Sequence, residues 1–112
     1  MHADLLEQVR SRTQHYLDSL SARRVFPDVS AIEALASALD AKLPAGETSV
    51  EEVLAFIDTL GSPATVASAG GRYFGFVTGG ALPATMAAHT LATAWDQNSF
   101  SHMSSSAAAL FE

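Results

Sequence analysis

The residues best suited to chemistry lie in one glycine- and aromatic-rich stretch, from Gly70 to Asn98. Two glycine pairs bracket the segment Arg-Tyr-Phe-Gly-Phe-Val-Thr at residues 72–78. Glycine lets the backbone pass close to a neighbouring group, and binding loops commonly combine it with a few polar side chains. The Thr78 hydroxyl could face a ligand, although a threonine in a turn more often bonds its own backbone. The stretch predicts a binding loop but does not indicate a reaction.

Other motifs that would assign a chemistry are not found in the sequence. The glycines match neither G-x-x-x-x-G-K-[ST] nor a G-x-G-x-x-G between a strand and a helix. The four histidines have no H-x-x-x-H or H-E-x-x-H spacing, so no metal site is predicted, and His89 is expected to pack within a helix. The serines form no G-x-S-x-G motif. A solvated helix face accounts for the acidic residues Glu47, Glu51, Glu52 and Asp58.

Composition restricts the class of protein. The 112 residues have the length of one domain, and a formal charge of −6 disfavours nucleic acid, whose phosphates need clustered Lys and Arg. Charged residues make up only 16%, so some apolar surface is expected to face another chain or domain. The sequence has no cysteine, no signal-peptide pattern and no uninterrupted apolar run of membrane-spanning length. These features predict a soluble, cytoplasmic protein that binds no membrane.

Apolar residues at spacings of three and four predict three helices in the N-terminal half of the chain. The first covers about residues 3–21, and Arg23 and Arg24 follow where the helix dipole favours positive charge. The three apolar stripes are Leu5, Val9, Thr13, Tyr16, Leu17 and Leu20; Ile32, Leu35, Leu39 and Leu43; and Val50, Val53, Leu54, Ile57 and Leu60.

Polar and helix-breaking residues predict where the second and third helices begin and end. Ser30 with Glu33, and Thr48 with Glu51, have the spacing of a capping box. Gly61, followed closely by a proline, is expected to end the third helix.

The remaining residues predict a loop, a short strand and two further helices. Residues 64–71 are small and polar, which predicts a linker or loop, and residues 73–77 are aromatic and β-branched enough for a short strand. Pro83 suits the first turn of a fourth helix ending near Trp95, and Ser104–Ser106 can cap a fifth. The chain stops within that helix, which suggests a fragment. The predicted fold class is mostly α: four to five helices with a short extended glycine and aromatic segment.

The same residues resemble the N-terminal part of the group II pyridoxal-phosphate-dependent decarboxylases, which act on aromatic amino acids, glutamate or diaminobutyrate. In order and spacing the similarity covers essentially the whole chain, and the bacterial aromatic-type subgroup is the most similar. The matching motifs are Arg72-Tyr73-Phe74-Gly75-Phe76-Val77-Thr78-Gly79-Gly80, Leu82-Pro83-Ala84 and Trp95-Asp96-Gln97-Asn98, preceded by Tyr16-Leu17, Arg24-Val25, Pro27 and Leu43-Pro44. Two positions depart from the family pattern: His89, where relatives carry Asp or Glu, and Ser106, where they carry proline.

The resemblance implies part of a fold-type-I carboxy-lyase that is a homodimer and acts on an amino acid. It divides the chain into a helical dimerisation segment, residues 1–63, and a pocket loop with the start of the catalytic domain, residues 64–112. Phe76, Val77 and Thr78 would bind substrate, and Phe100 would reach the pocket across the dimer.

The resemblance also implies that the catalytic groups lie elsewhere. Pyridoxal 5'-phosphate would be held by a lysine of an α/β domain outside these residues, so this segment carries no catalytic residue. Its one lysine, Lys42, is expected to cap a helix end, because a Schiff-base lysine needs a desolvated site. The 112 residues alone are predicted to be inactive.

Two alternatives remain open at the level of sequence. One is a stand-alone helical module that dimerises through its apolar stripes and binds no cofactor. The other is a small helical protein that binds a ligand with the Gly70–Gly80 loop. The sequence does not identify the amino acid that a complete enzyme would use.

Overall fold

A computed structural model describes residues 2–78, 80–98 and 100–111, which contain five α-helices and no strand. The helices are α1 (His2–Ser19), α2 (Val29–Leu39), α3 (Val50–Phe56), α4 (Pro83–Trp95) and α5 (Ser106–Phe111). They fall into two compact units, Met1–Gly79 and Gly80–Glu112. The predicted mostly helical class is confirmed. The functional division at residue 63 remains a prediction. Among the described residues, no helix is long and apolar enough to cross a membrane.

The start of α3 is a capping box, one residue later than predicted. The Glu52 amide donates to Ser49 Oγ at 3.1 Å, and the Ser49 amide donates to Glu52 Oε2 at 2.9 Å. The bond from the Ser49 amide, with a further one from its hydroxyl, lowers the pKa of the Glu52 carboxyl. The predicted pair of Thr48 with Glu51 is therefore wrong, because the chain turns into the helix at Ser49.

The start of α2 also differs from the prediction. Asp28 is the N-cap residue, and Ser30 already lies in the first turn, so the capping box with Glu33 is wrong. The Asp28 carboxylate makes no capping bond to the helix; it pairs with the Arg24 guanidinium instead. The ion pair thus occupies the side chain that would otherwise cap the helix.

Gly61 does not end the helical path that begins with α3. A π-helical turn, Ile57–Gly61, follows α3 directly, and a 3-10 turn, Ser62–Ala64, follows that. Gly61 has a right-handed φ of −78°, and the following proline lies at the start of the 3-10 turn, where no backbone N–H is needed. The helical path ends at Ala64, so the predicted end at Gly61 is wrong by three residues.

The segment predicted to be a linker or loop, residues 64–71, is largely a loop, and it packs against the chain that leaves α1. Ala67 is 2% exposed and is the one fully buried apolar residue in the part of the first unit that is described. Its amide donates to the carbonyl of Val25 at 2.9 Å, and its own carbonyl accepts from the Gly70 amide at 3.1 Å. Small residues in this segment therefore permit close backbone packing.

Residues 73–77 form a turn rather than the predicted strand. Phe76 and Val77 have φ values of 50° and 53°, in the left-handed region that a strand excludes. The Thr78 amide closes the turn by donating to the Gly75 carbonyl at 3.3 Å. Aromatic and β-branched composition favoured a strand, but no neighbouring strand is available within the described residues to pair with it.

The second unit agrees with the predicted helix starts. Pro83 lies in the first turn of α4, and Asp96 ends that helix in the left-handed conformation. Ser105 Oγ accepts from the Ala108 amide at 3.0 Å and so caps α5. Ser106 is the first residue of α5, a position that proline also suits, so this departure from the family pattern is compatible with the same helix.

The Ser49 capping box predicts that Ser49→Ala lowers the free energy of unfolding by about 1 kcal/mol, because the Glu52 amide loses its side-chain acceptor. Urea denaturation followed by circular dichroism measures this change. Thr48→Ala is the matched control and should change the free energy by less than about 0.5 kcal/mol. Equal losses in the two variants would contradict the cap.

Candidate functional site

The candidate loop residues Phe76, Val77 and Thr78 lie together on the tip of the turn in the first unit. The side chains of Phe76 and Val77 are 91% and 105% exposed, and Thr78 is exposed beside them. Positive φ is rare for phenylalanine and a genuine outlier for valine. The turn therefore presents two apolar side chains outward in a backbone conformation that they do not favour.

The ring of Tyr73 folds over Gly75 beside this tip. A Cβ atom at Gly75 would lie 2.8 Å from Tyr73 Oη and 2.9 Å from Tyr73 Cζ. Both contacts are closer than real Cβ atoms make, so a larger residue would displace the tyrosine ring. The glycine thus lets an aromatic ring pack against the backbone at the base of the turn.

Phe100 belongs to the second compact unit, in the serine-rich segment before α5. Its side chain is 89% exposed, and its amide donates to Asn98 Oδ1 at 2.8 Å. Ser104 Oγ donates to the carbonyl of Asn98 at 2.8 Å, and the Ser104 amide donates to the Ser101 carbonyl at 3.1 Å. Local hydrogen bonds therefore shape the backbone around Phe100, and its ring is free to contact another surface.

Two further residues that the sequence singles out lie on the surface. His89 is exposed on α4 instead of packed, and its carbonyl accepts from Thr93 Oγ1 at 2.9 Å. Lys42 is exposed in the segment after α2. Within the described ranges, no three His, Cys, Asp or Glu side chains gather in a way that could hold a metal ion.

A polar cluster that the sequence did not predict joins α1 to the π-helical turn. Arg12 donates to Asp58 Oδ2 at 2.8 Å, and Ser62 Oγ donates to Asp58 Oδ1 at 2.7 Å. The bond from Ser62, followed by that from Arg12, holds the pKa of the Asp58 carboxyl below its usual range. Asp58 is partly buried and not on the solvated face predicted for it. The four-residue spacing of Asp58 and Ser62 is the sequence signal that could have indicated the pair.

A cleft of about 380 Å³ lies beside this cluster, with Tyr16, Arg23 and Ser62 among its lining residues. The Arg23 guanidinium lies 4.6 Å from the centre of the Tyr16 ring and donates to the Ser62 carbonyl at 2.6 Å. Tyr16 Oη and Thr65 Oγ1 are 2.8 Å apart and share a hydrogen bond. These polar groups bind one another, so we interpret the cleft as a structural joint between α1 and the helical turns.

Known proteins do not assign this chain to a family. No family model matches the sequence, and neither does any curated protein or solved structure. The resemblance to the decarboxylases therefore rests on the order and spacing of the motifs given above.

The lowered pKa of Asp58 predicts acid sensitivity of the joint. A carboxyl whose pKa is lower when folded contributes its full stabilisation above the unfolded pKa, about 3.9, and loses it as the pH falls through the folded pKa. Asp58→Asn should therefore cost about 1 kcal/mol at pH 7 and flatten the loss of stability between about pH 5 and pH 2. Urea titrations at several pH values measure the slope.

Asp40→Asn, at an exposed carboxyl after α2, is the control for Asp58→Asn. The control should keep the wild-type pH slope over the same range. A wild-type slope in Asp58→Asn would contradict the assigned role of the ion pair.

Proposed function

We propose that this chain is the N-terminal segment of a cytoplasmic, pyridoxal-phosphate-dependent amino-acid decarboxylase, to which it contributes dimer contacts and one wall of the substrate pocket. The complete enzyme would remove carbon dioxide from the α-carbon of an amino acid and release an amine. The observation that carries the proposal is the outward presentation of Phe76 and Val77 on a constrained turn. The family resemblance assigns substrate contact to the same residues.

The chemistry of this tip supports an apolar ligand group. Covering an exposed phenylalanine or valine side chain is worth about 1.5–3 kcal/mol, so a ligand or protein surface that meets the tip gains affinity. Phe76 and Val77 offer no donors to a second carboxylate, and an unpaired charge is costly to desolvate. An aromatic or apolar amino acid therefore suits the tip better than glutamate does.

The cofactor itself does not fit the described residues of this chain. The one lysine of the sequence, Lys42, is exposed to water, whereas a Schiff-base lysine needs a desolvated site that depresses its pKa. Pyridoxal phosphate supplies the electron sink of decarboxylation wherever it is bound. We assign no proton transfer or bond cleavage to residues of this segment.

A second function, a helical interaction module without cofactor, is favoured by the apolar surface of the first unit. Large apolar side chains are exposed along α2, α3 and their flanks: Val29, Ile32, Leu39, Leu43, Val50, Val53, Phe56 and Ile57. Such a surface is expected to associate with another polypeptide. Concentration-dependent association of a protein that shows no absorbance of bound pyridoxal phosphate would favour the module over the enzyme segment.

Kinetics of the protein expressed from the complete open reading frame test the enzyme proposal. Release of carbon dioxide should be detected with an aromatic or apolar amino acid. Phe76→Ala should lower kcat/KM for that substrate by about tenfold or more, because one apolar contact in a pocket is worth about 1–3 kcal/mol.

Phe26→Ala removes an exposed phenylalanine of the same unit and serves as the control for Phe76→Ala. It should leave kcat/KM within about twofold of the wild-type value, since surface substitutions away from a site have small effects. Equal kinetics of all three proteins would contradict a pocket role for the turn, and absence of decarboxylation with every amino acid would contradict the enzyme.

A further inference from the structure

The C-terminal end of α1 carries negative charge that no basic residue of its own last turn offsets. The last carbonyl groups of a helix have no intrahelical donor and carry partial negative charge. The last turn of α1 contains no basic residue, and Asp18 in that turn adds further negative charge. A cation from elsewhere in the chain is therefore favoured at this end.

The two arginines that follow α1 direct their guanidinium groups elsewhere. Arg23 donates to the Ser62 carbonyl and lies over the Tyr16 ring. Arg24 pairs with the carboxylate of Asp28. None of these contacts is to a carbonyl group of the chain that leaves α1.

Arg72 supplies that contact from the base of the candidate turn. Its Nη2 atom donates to the carbonyl of Arg23 and makes a longer contact of 3.5 Å with the carbonyl of Leu20. Leu20 is the first residue after α1 and Arg23 lies four positions after its last residue, so the guanidinium binds the chain that leaves the helix. The contact joins two segments that are about fifty residues apart in the sequence, since Leu20 and Arg72 are separated by 52 positions.

Gly70 brings the same segment close enough for this contact. A Cβ atom at Gly70 would lie 3.3 Å from the Ala67 carbonyl oxygen, which is tight, and 3.5 Å from the Leu20 carbonyl oxygen, which is an ordinary contact. At Gly71 a Cβ atom would meet nothing within 4 Å. Only the first glycine of the pair thus lies in a crowded position, close to the Ala67 carbonyl and in contact with Leu20.

We propose that Arg72 is a positioning residue: by bonding to carbonyls of the chain that leaves α1, it holds the turn with Phe76 and Val77 in place as a substrate-binding wall. The inference rests on the proposed function of that turn. Arg72 contacts backbone carbonyls and not the candidate substrate-binding side chains, so it acts through the position of the loop. The turn is attached at its base through Arg72 and the Ala67 amide, and its tip is left exposed for a ligand.

Hydrogen exchange and steady-state kinetics of the protein from the complete reading frame test this role. Arg72→Met should speed exchange of the Ala67, Gly70 and Tyr73 amides by about fivefold, because a charge-assisted bond that anchors them is lost. It should also raise KM by a similar factor and leave kcat nearly unchanged, since the wall binds substrate and transition state alike. Arg72→Lys keeps the positive charge and should restore part of both effects.

Two matched pairs separate positioning from general damage. Arg10→Met, at an exposed arginine of α1, should leave exchange and KM unchanged. Gly70→Ala should speed exchange of the same amides, and Gly71→Ala should not. Unchanged exchange in Arg72→Met would overturn the positioning role whatever the kinetics. Faster exchange with an unchanged KM would support the anchoring role of Arg72 but overturn the substrate-wall function on which the inference rests.

Discussion

The first unit depends on the packing of residues 67–72 against the chain that leaves α1. One backbone bond joins the Ala67 amide of this segment to the Val25 carbonyl, and Ala67 is the most buried residue in the described part of the first unit. Bulky side chains would prevent so close an approach, which explains a run of small residues here. The approach in turn brings Arg72 to the carbonyls at the end of α1 and fixes the base of the turn that carries Phe76.

The same packing explains why so much apolar surface remains exposed. Contacts made by small residues and hydrogen bonds bury little area, so the apolar stripes of α2 and α3 stay exposed. Polar contacts such as the Arg12–Asp58 pair then join the elements of the unit. Such a unit gains stability from any polypeptide that covers its stripes, which is consistent with either a dimerisation segment or an interaction module.

Periodic spacing predicted the helices because an apolar stripe is a property of the local sequence, and Pro83 predicted the start of α4 for the same reason. Contacts between distant residues were not predictable in this way. Arg24 pairs with the Asp28 carboxylate that would otherwise cap α2, and the packing of residues 67–72 buries Ala67 in a segment expected to be a linker or loop. At the candidate site, composition identified the loop, but only coordinates show Phe76 and Val77 in a left-handed turn instead of a strand.

The proposal that this chain belongs to a pyridoxal-phosphate-dependent decarboxylase can be tested by mapping the lysine that carries the cofactor. The protein from the complete reading frame would be purified with pyridoxal phosphate, reduced with borohydride and digested, and the modified lysine identified by mass spectrometry. Our account predicts a modified lysine outside the 112 residues described above. Modification of Lys42 would contradict the assignment of this chain to the pocket wall, and absence of any modified lysine would contradict the decarboxylase itself.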